Sequence, residues 1–304
     1  MEKNAFQDKV ILMTGGTGFL GSNLLKMLVQ TKATLIVLKR SSSKLFRLEQ
    51  IKNQLLFYNL EDGGLDTIFN NHSIDIIIHC ATTYGSQLKN IPELIESNLM
   101  LPLRLLELSL SYRRPIFINT DTILDKRVSV YSLAKKQFLD WLKLFSSEMA
   151  CVNISLEHFY GPLDDRSKFC TKMIMDLFTG VSHIDLTPGM QKRDFIYVND
   201  VVDAFLRILY YSLSVTKGFY HFEVGTGQNI TIKEFIEILC RLTGNTKTKL
   251  NFGALCYRPN EVMEYKVDLA PLRQLGWEPQ CNLIEGLRET IRLEKEYMHE
   301  GVAS

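Results

Sequence analysis

Val10-Ile11-Leu12-Met13-Thr14-Gly15-Gly16-Thr17-Gly18-Phe19-Leu20-Gly21 decides the fold. An apolar run leads into glycines spaced three apart, and Leu24, Leu25 and Leu28 continue at helical spacing. The glycines therefore sit at a strand-to-helix turn, the setting that a dinucleotide-binding fingerprint requires. Gly15 permits the turn, Gly18 lets the backbone approach a pyrophosphate, and Gly21 lets helix and strand pack closely. A phosphate there would lie on the helix N-terminus, where free N–H groups and the dipole favour an anion. Gly15, Thr17, Gly18, Phe19 and Leu20 are accordingly candidate cofactor contacts.

Outward from this loop, strand and helix signals alternate. Apolar strand candidates are Val10–Met13, Leu35–Leu38, Leu55–Tyr58, Ile74–His79, Pro115–Asn119 and Cys151–Leu156. Helical spacing marks Gly21–Gln30, Leu65–Asn70, Ile91–Tyr112 and Tyr131–Met149. Continuous apolar strands separated by helices predict an α/β fold, a doubly wound parallel sheet of Rossmann type covered on both faces. Residues 163–195 read as polar and turn-rich. A helix at Asn199–Tyr211 and a strand at Phe219–Val224 are expected to return to the sheet. Helices at Thr231–Thr243 and Leu283–His299 predict a second, smaller α/β substrate-binding lobe. The expected division is 1–163 plus 196–226 for the dinucleotide domain, and 164–195 plus 227–304 for the lobe. Residues His299–Ser304 are expected to fray.

The 304-residue chain is 46% apolar, enough for a large core. Its formal net charge of +1 gives no reason to expect nucleic acid as a partner. No apolar run reaches the roughly 18–20 residues of a membrane span, and Met1–Ala5 lacks a signal peptide's apolar core. The six cysteines are scattered without a C-x-x-C. They read as buried, reduced thiols of a cytoplasmic protein without a metal site.

The second strand ends Leu38-Lys39-Arg40-Ser41-Ser42-Ser43, where a NAD site would carry a carboxylate. Lys39 and Arg40 suit a 2′-phosphate, hence NADPH/NADP; the bland reading is a solvated basic turn. Asn59 and Leu60, after the third strand, are placed to meet the adenine. Ala81 and Thr82, after the fourth, let backbone approach the cofactor. Tyr131 and Lys135 form a Tyr-x-x-x-Lys pair one helical turn apart. A tyrosine, with a pKa of ~10, becomes a useful proton donor when a nearby cation stabilises its phenolate. Thr120 ends the fifth strand and can hydrogen-bond the same substrate oxygen. This set predicts hydride transfer, with Thr120, Tyr131 and Lys135 catalytic and the last two also near the cofactor.

At this point the chain resembles the extended short-chain dehydrogenase/reductase family, which acts on nucleotide-linked sugars. Beyond the loop and the Tyr–Lys pair, the resemblance includes Asn98, Tyr160-Gly161-Pro162, Arg193–Val202, Val224–Gly227 and Arg258-Pro259. It implies that Arg193 and Arg258 serve the nucleotide and diphosphate, a ligand that favours bidentate cations. The stretches Ala81–Gly85, Asn119–Thr122, Leu156–Pro162 and Asn251–Leu255 narrow it to 4-keto-sugar nucleotide reductases using NADPH. The implied substrate is CDP-linked, and the implied setting is deoxysugar supply for a surface polysaccharide such as O-antigen. The resemblance further implies a homodimer paired through the helices around Ile91–Tyr112 and Tyr131–Met149, with Leu99, Leu103, Leu106 and Leu110 as a stripe. Packing of that stripe on the protein's own sheet is the other reading.

The 4,6-dehydratases of the family place Asp-Glu after the catalytic threonine, whereas this chain has Asp121-Thr122. The carboxylate that would remove a C5 proton is absent. Asp121 and Thr122 remain candidates for substrate contact. His158 stands where relatives carry asparagine and either meets the sugar or packs. Tyr84 either lies near the sugar or anchors its loop. Two other functions stay open: a NAD-retaining nucleotide-sugar 4-epimerase, which Lys39-Arg40 disfavours, and a non-catalytic dinucleotide-binding regulator, which the intact Thr120–Tyr131–Lys135 set disfavours.

Overall fold

A computed structural model describes residues 5–84 and 90–299. Gly85 and residues 300–304 of the tail lie outside the described residues. The strands are β1 (Val10–Thr14), β2 (Thr34–Lys39), β3 (Leu56–Asn59), β4 (Ile76–His79), β5 (Ile116–Thr122), β6 (Ala150–Leu156), β7 (His158–Tyr160), β8 (His183–Leu186), β9 (Lys192–Tyr197), β10 (Gly218–Val224), β11 (Asn229–Thr231) and β12 (Lys249–Phe252). The helices are α1 (Phe19–Leu28), α2 (Gly64–Asn71), α3 (Ile91–Ile95), α4 (Leu101–Ser111), α5 (Val130–Phe145), α6 (Phe169–Thr179), α7 (Val198–Ser212), α8 (Ile232–Thr243), α9 (Ala270–Gln274) and α10 (Leu283–His299).

The chain forms two compact units. One comprises Met1–Leu156, Val202–Glu223 and Ala270–Trp277; the other comprises Glu157–Val201, Val224–Leu269 and Glu278–Ser304. In the first, a seven-stranded sheet runs β10-β6-β5-β4-β1-β2-β3. Pairings from β3 through β2, β1, β4 and β5 to β6 are all parallel, so the doubly wound sheet expected from the apolar runs is present. The order reverses between β1 and β4, the switch point at which such sheets place ligands beyond their carboxyl ends. One face packs Leu12, Ile36, Ile77, Phe117 and Cys151 against Leu105 and Leu106 of α4 and Phe138 and Leu142 of α5.

The helical run expected over Ile91–Tyr112 is interrupted by a π-helical segment at Glu96–Met100, between α3 and α4. The second unit holds a three-stranded sheet, β11-β9-β7, and a parallel β8/β12 pair. Phe195 of β9 stacks on Phe235 of α8 with centroids 3.9 Å apart, and Phe169 of α6 packs on the same ring. The turn-rich reading of 163–195 is corrected here, since it contains α6, β8 and β9. Cys170, Met173, Ile174 and Leu177 are the buried stripe of α6. Their helical spacing was masked by the polar residues 164–168 before them.

The cysteines are all free thiols. Cys151 and Cys170 are buried, but Cys256 is exposed, because β12 is followed by a surface segment rather than by core. No helix among the described residues is long and apolar enough to cross a membrane.

Candidate active site

The glycine loop connects β1 to α1 with no room for side chains at two positions. Gly15 has φ +70°, and a Cβ there would lie 2.4 Å from the Ala81 nitrogen. A Cβ on Gly21 would lie 2.3 Å from the Gly15 carbonyl oxygen. The switch point is therefore locked backbone to backbone, β1 against the segment after β4. Gly18 caps α1 without a side-chain hydrogen bond, and the first turn of α1 carries no acidic residue. A Cβ on Gly18 would meet only the Gly15 oxygen, at 3.2 Å, so its face is otherwise open backbone. That cradle fits a pyrophosphate: uncapped N–H groups, no competing carboxylate, and backbone that can be approached closely. Phe19 and Leu20 are buried and anchor the loop, while Thr17 accepts a long hydrogen bond (3.5 Å) through its carbonyl from Arg47.

The ends of β2 and β3 meet beside this loop. Lys39 Nζ donates to Asn59 Oδ1 at 2.8 Å, and Asn59 Nδ2 donates to Asp62 at 2.9 Å. Arg40 is exposed and pairs with the exposed Glu93 at 3.5 Å, an ion pair worth little. Arg47, which stacks on Phe46 at 4.5 Å, is a third cation in this neighbourhood that sequence reasoning did not single out. Its signal was slight: a basic residue some way past the strand end, in a segment with no periodic pattern. Leu60 is half-buried against the core.

After β4, the segment Ala81–Tyr84 is held from below. Ala81 N–H donates to Thr14 Oγ1 (3.3 Å). Asn98, fully buried in the π segment, accepts from Thr82 Oγ1 (2.8 Å) and the Thr83 N–H, and donates to the Thr83 carbonyl (2.8 Å). Short π segments are frequent at functional sites; this one serves to aim Asn98 at the loop. Cys80, beneath the loop, is pushed up to about 12 by burial, so its thiol stays protonated and unreactive.

Helix α5 presents Tyr131 and Lys135. Its start is fixed by a reciprocal cap, in which Ser129 Oγ accepts from Ser132 N–H and Ser132 Oγ accepts from Ser129 N–H. Tyr131 is half-buried and its ring lies 4.8 Å from that of Tyr84. Burial, with Tyr84 and Asp121 adding to it and Thr82 opposing, raises its pKa well above the usual phenol value. Lys135 is buried and donates to the Thr120 carbonyl at 3.0 Å. Burial lowers its pKa to about 8, against the pull of Asp121. Thr120 Oγ1 donates to the His79 carbonyl at 3.0 Å, a bond it must exchange before it can donate to a substrate oxygen.

The Asp121 carboxylate is fully engaged. It pairs with Lys136 at 2.8 Å and accepts from Thr122 N–H, Asn153 and Ser155. Lys136, next to the expected lysine, was not foreseen; Thr122 Oγ1 accepts from Leu124 N–H. Thr120, Asp121, Thr122, Tyr131, Lys135, Ala81, Thr82 and Tyr84 thus come together at the carboxyl end of the sheet in the first unit.

Within the second unit, Arg193 of β9 is mostly buried. It donates to the carbonyls of Lys192 and Val262 and pairs closely with Glu261. Arg258 is exposed a few residues before that glutamate. Sequence reasoning saw the cations and missed Glu261, whose pairing depends on a loop fold. His158 Nδ1 lies 3.2 Å from the buried Glu157 carboxylate, and its ring packs on Phe195 at 5.9 Å. Contact with a carboxylate on one side leaves the Nε2 edge of the half-exposed imidazole as its remaining polar face.

The glycine cradle, the switch point and the Tyr–Lys helix agree with a family match: residues 11–225 fit the NAD dependent epimerase/dehydratase family. The chain belongs to that family. Within it, a CDP-abequose synthase from Salmonella muenchen is 34% identical over 95% of this chain and 99% of its own length. The UDP-glucose 4-epimerase of Thermotoga maritima, solved with UDP-glucose, superposes with a TM-score of 0.82 at 25% identity, over 95% of this chain and 99% of that one. The UDP-glucuronic acid 4-epimerase of Bacillus cereus, in complex with UDP-glucuronic acid and NAD, reaches a TM-score of 0.83 at 19% identity, over 94% and 99% of the two chains. At that identity the likeness is one of fold.

Proposed function

We propose that the protein is an NADPH-dependent reductase of the C4 ketone of a nucleotide-linked 4-keto-6-deoxy- or 3,6-dideoxyhexose, with CDP the favoured carrier. The observation that carries this reading is the grouping of Thr120, Tyr131 and Lys135 at one sheet end, with Thr122 where a dehydratase keeps its carboxylate base. Full-length similarity to a CDP-abequose synthase supports the carrier and a place in deoxysugar synthesis for a surface polysaccharide.

When bound, the nicotinamide supplies a hydride to the ketone carbon. Tyr131, with a pKa raised by burial, holds its proton through the neutral range and donates it to the ketone oxygen as negative charge develops there. Lys135, one turn along the helix and with a pKa near 8, is mostly an ammonium at neutral pH and lowers the cost of the phenolate left behind. Thr120 turns its hydroxyl from the His79 carbonyl to the substrate oxygen. Arg193 and Arg258 hold the diphosphate, Tyr84 and His158 meet the sugar, and Asp121 serves by fixing Lys136 rather than by direct contact. Lys39, Arg40 and Arg47 form the cationic edge that selects the 2′-phosphate.

In this reading the protein works in the cytoplasm as a homodimer. Leu106 is buried against the protein's own core and Leu99, Leu103 and Leu110 pack around it, so the leucine stripe is not the free face. Met100, Leu133, Trp141 and Leu144 are the exposed apolar residues of the same helical pair and supply the contact. A monomer by light scattering at micromolar concentration would remove the dimer.

The activity test is incubation with NADPH and a panel of CDP-, GDP- and dTDP-linked 4-keto-sugars, following loss of the reduced-cofactor absorbance and identifying the sugar formed. Cofactor oxidation with the CDP substrate is expected. Water elimination from a nucleotide hexose, inversion at C4 without net cofactor oxidation, or inertness towards the whole panel would each refute the reading.

A further inference from the structure

A row of polar side chains crosses the central sheet on the face packed by α4 and α5. Thr14 of β1, His79 of β4, Asn119 of β5 and Asn153 of β6 are successive register partners. All four are buried. They lie one strand period above Leu12, Ile77, Phe117 and Cys151 of the apolar core, so their side chains share that face.

Hydrogen-bond polarity can be traced inward from both ends. At one end the Asp121 carboxylate accepts from Asn153 Nδ2 (3.2 Å). An ionised carboxylate only accepts, so Asn153 must turn its amide nitrogen towards Asp121 and its oxygen towards Asn119. Asn119 Nδ2 donates to that oxygen at 2.7 Å, which turns Asn119 Oδ1 towards β4. At the other end Thr14 Oγ1 accepts from Ala81 N–H (3.3 Å) and lies 2.8 Å from His79 Nδ1. Nδ1 is the only acceptor that the buried hydroxyl hydrogen meets among the described residues, and donating to it leaves the imidazole proton on Nε2. Burial, with Lys135 adding to it, drives the His79 pKa well below its usual value, so the ring is neutral.

A donor, His79 Nε2–H on β4, and an acceptor, Asn119 Oδ1 on its register partner in β5, thus share one face of the sheet. Neither has a hydrogen-bond partner among the described residues, although both are buried. Buried polar groups of this kind are paired in native proteins, commonly through an ordered water held by polar partners.

We propose that a single buried water accepts from His79 Nε2 and donates to Asn119 Oδ1, closing an unbroken hydrogen-bonded row from the glycine-loop strand to Asp121. The row makes His79 and Asn119 positioning residues. The His79 carbonyl receives the Thr120 hydroxyl, and the His79 ring holds Thr14 and, through it, Ala81. Asn119 donates to Asn153, and Asn153 in turn donates to the Asp121 carboxylate, which faces Lys136 and bears on Lys135. The water ties the cofactor side of the site to its acid–base side. This second part rests on the reading of Thr120 and Lys135 as groups that act on substrate; the water itself does not.

The test is a crystal structure of the full chain at a resolution that shows ordered water, with nitrogen NMR of the histidine-labelled protein. Density within hydrogen-bonding distance of both His79 Nε2 and Asn119 Oδ1, and a neutral His79 protonated on Nε2, are expected. A direct His79–Asn119 hydrogen bond, no density between them, or a ring protonated on Nδ1 would overturn the site. These readouts need no substrate, so they stand or fall separately from the reductase reading. Asn119→Leu removes the acceptor at similar volume and should lower kcat about ten- to a hundredfold, the scale of a small misplacement of reacting groups, with KM for both substrates little changed. Asn119→Ser, with a short acceptor and space for a further water, should recover most of the loss, and it serves equally if the leucine variant does not fold. Unchanged kcat in the leucine variant, or a serine variant as impaired as the leucine one, would overturn the positioning role.

Discussion

Replacing Lys135 with methionine should change how stability depends on pH, in the direction opposite to its effect on activity. Lys135 is buried, and its pKa falls from 10.5 to about 8, chiefly through burial. A lysine whose folded pKa lies below its unfolded value binds more protons when unfolded, so stability rises with pH across the interval between the two. Below pH 8 the protein carries a buried ammonium at full cost; above about 10.5 it carries a neutral amine in both states. A shift of about two and a half units, at ~1.4 kcal/mol per unit, makes that cost about 3 kcal/mol. Methionine keeps the stem and loses the charge, but it gives up the charge-assisted hydrogen bond to the Thr120 carbonyl, which contributes about 1.5–3 kcal/mol. At pH 7 the two proteins should therefore be similar in stability, or the variant slightly ahead. Between pH 7 and pH 10 the wild type should gain about 2.5 kcal/mol on the variant, the rest of the cost being recovered only above pH 10. Denaturant unfolding at the two pH values, followed through the fluorescence of Trp277, reads the quantity directly, since that indole is buried in the same unit as Lys135. Catalysis moves the other way: kcat of the wild type should fall as pH rises through about 8 and the ammonium is lost, while Lys135→Met is impaired throughout. A stability difference between wild type and variant that is the same at pH 7 and pH 10 would refute the reasoning.

Tyr131→Phe should lower kcat by about 10²–10⁴-fold, the usual contribution of a general acid, with cofactor affinity measured by fluorescence titration nearly unchanged. Arg40→Asp should erode or reverse a preference for NADPH over NADH worth roughly ten- to a hundredfold in kcat/KM, since a charge-assisted contact contributes about 1.5–3 kcal/mol; a wild type with equal kcat/KM for both would dismiss the cationic edge. Arg258→Ala should raise KM for the sugar nucleotide roughly thirty- to a hundredfold and leave KM for NADPH alone, the signature of a lost bidentate contact to a charged group.

The central sheet was legible because its determinants are local. Gly15 and Gly21 are glycines for reasons of contact that any side chain would violate, and the apolar runs before and after them need burial on both faces. Helix α6 was harder to see because a loop of charged and turn residues adjoins it, and the periodic stripe begins only at Cys170. The π segment went unseen because one extra residue shifts the phase of the apolar stripe without making the stretch any less apolar. Partnerships across long stretches of chain were not legible at all. Lys136 on Asp121 and Glu261 on Arg193 each depend on where a distant segment comes to rest. Sequence pattern identifies which chemical groups are at hand; which of them neutralise one another is decided by the fold.

The π segment also sets a constraint on length. An ordinary α-helix advances about 100° per residue, and one extra residue rotates everything after it by that amount relative to what came before. Glu96–Met100 absorbs such a step between α3 and α4, so Asn98 can face the loop of residues 81–83 while Leu101, Leu105 and Leu106 face the sheet. Deleting one residue there would leave a regular, equally apolar helix whose two halves could no longer both be aimed correctly. Substitutions along this helix can be conservative; a change of register cannot, because the loop and the core would then demand different phases of the same rod.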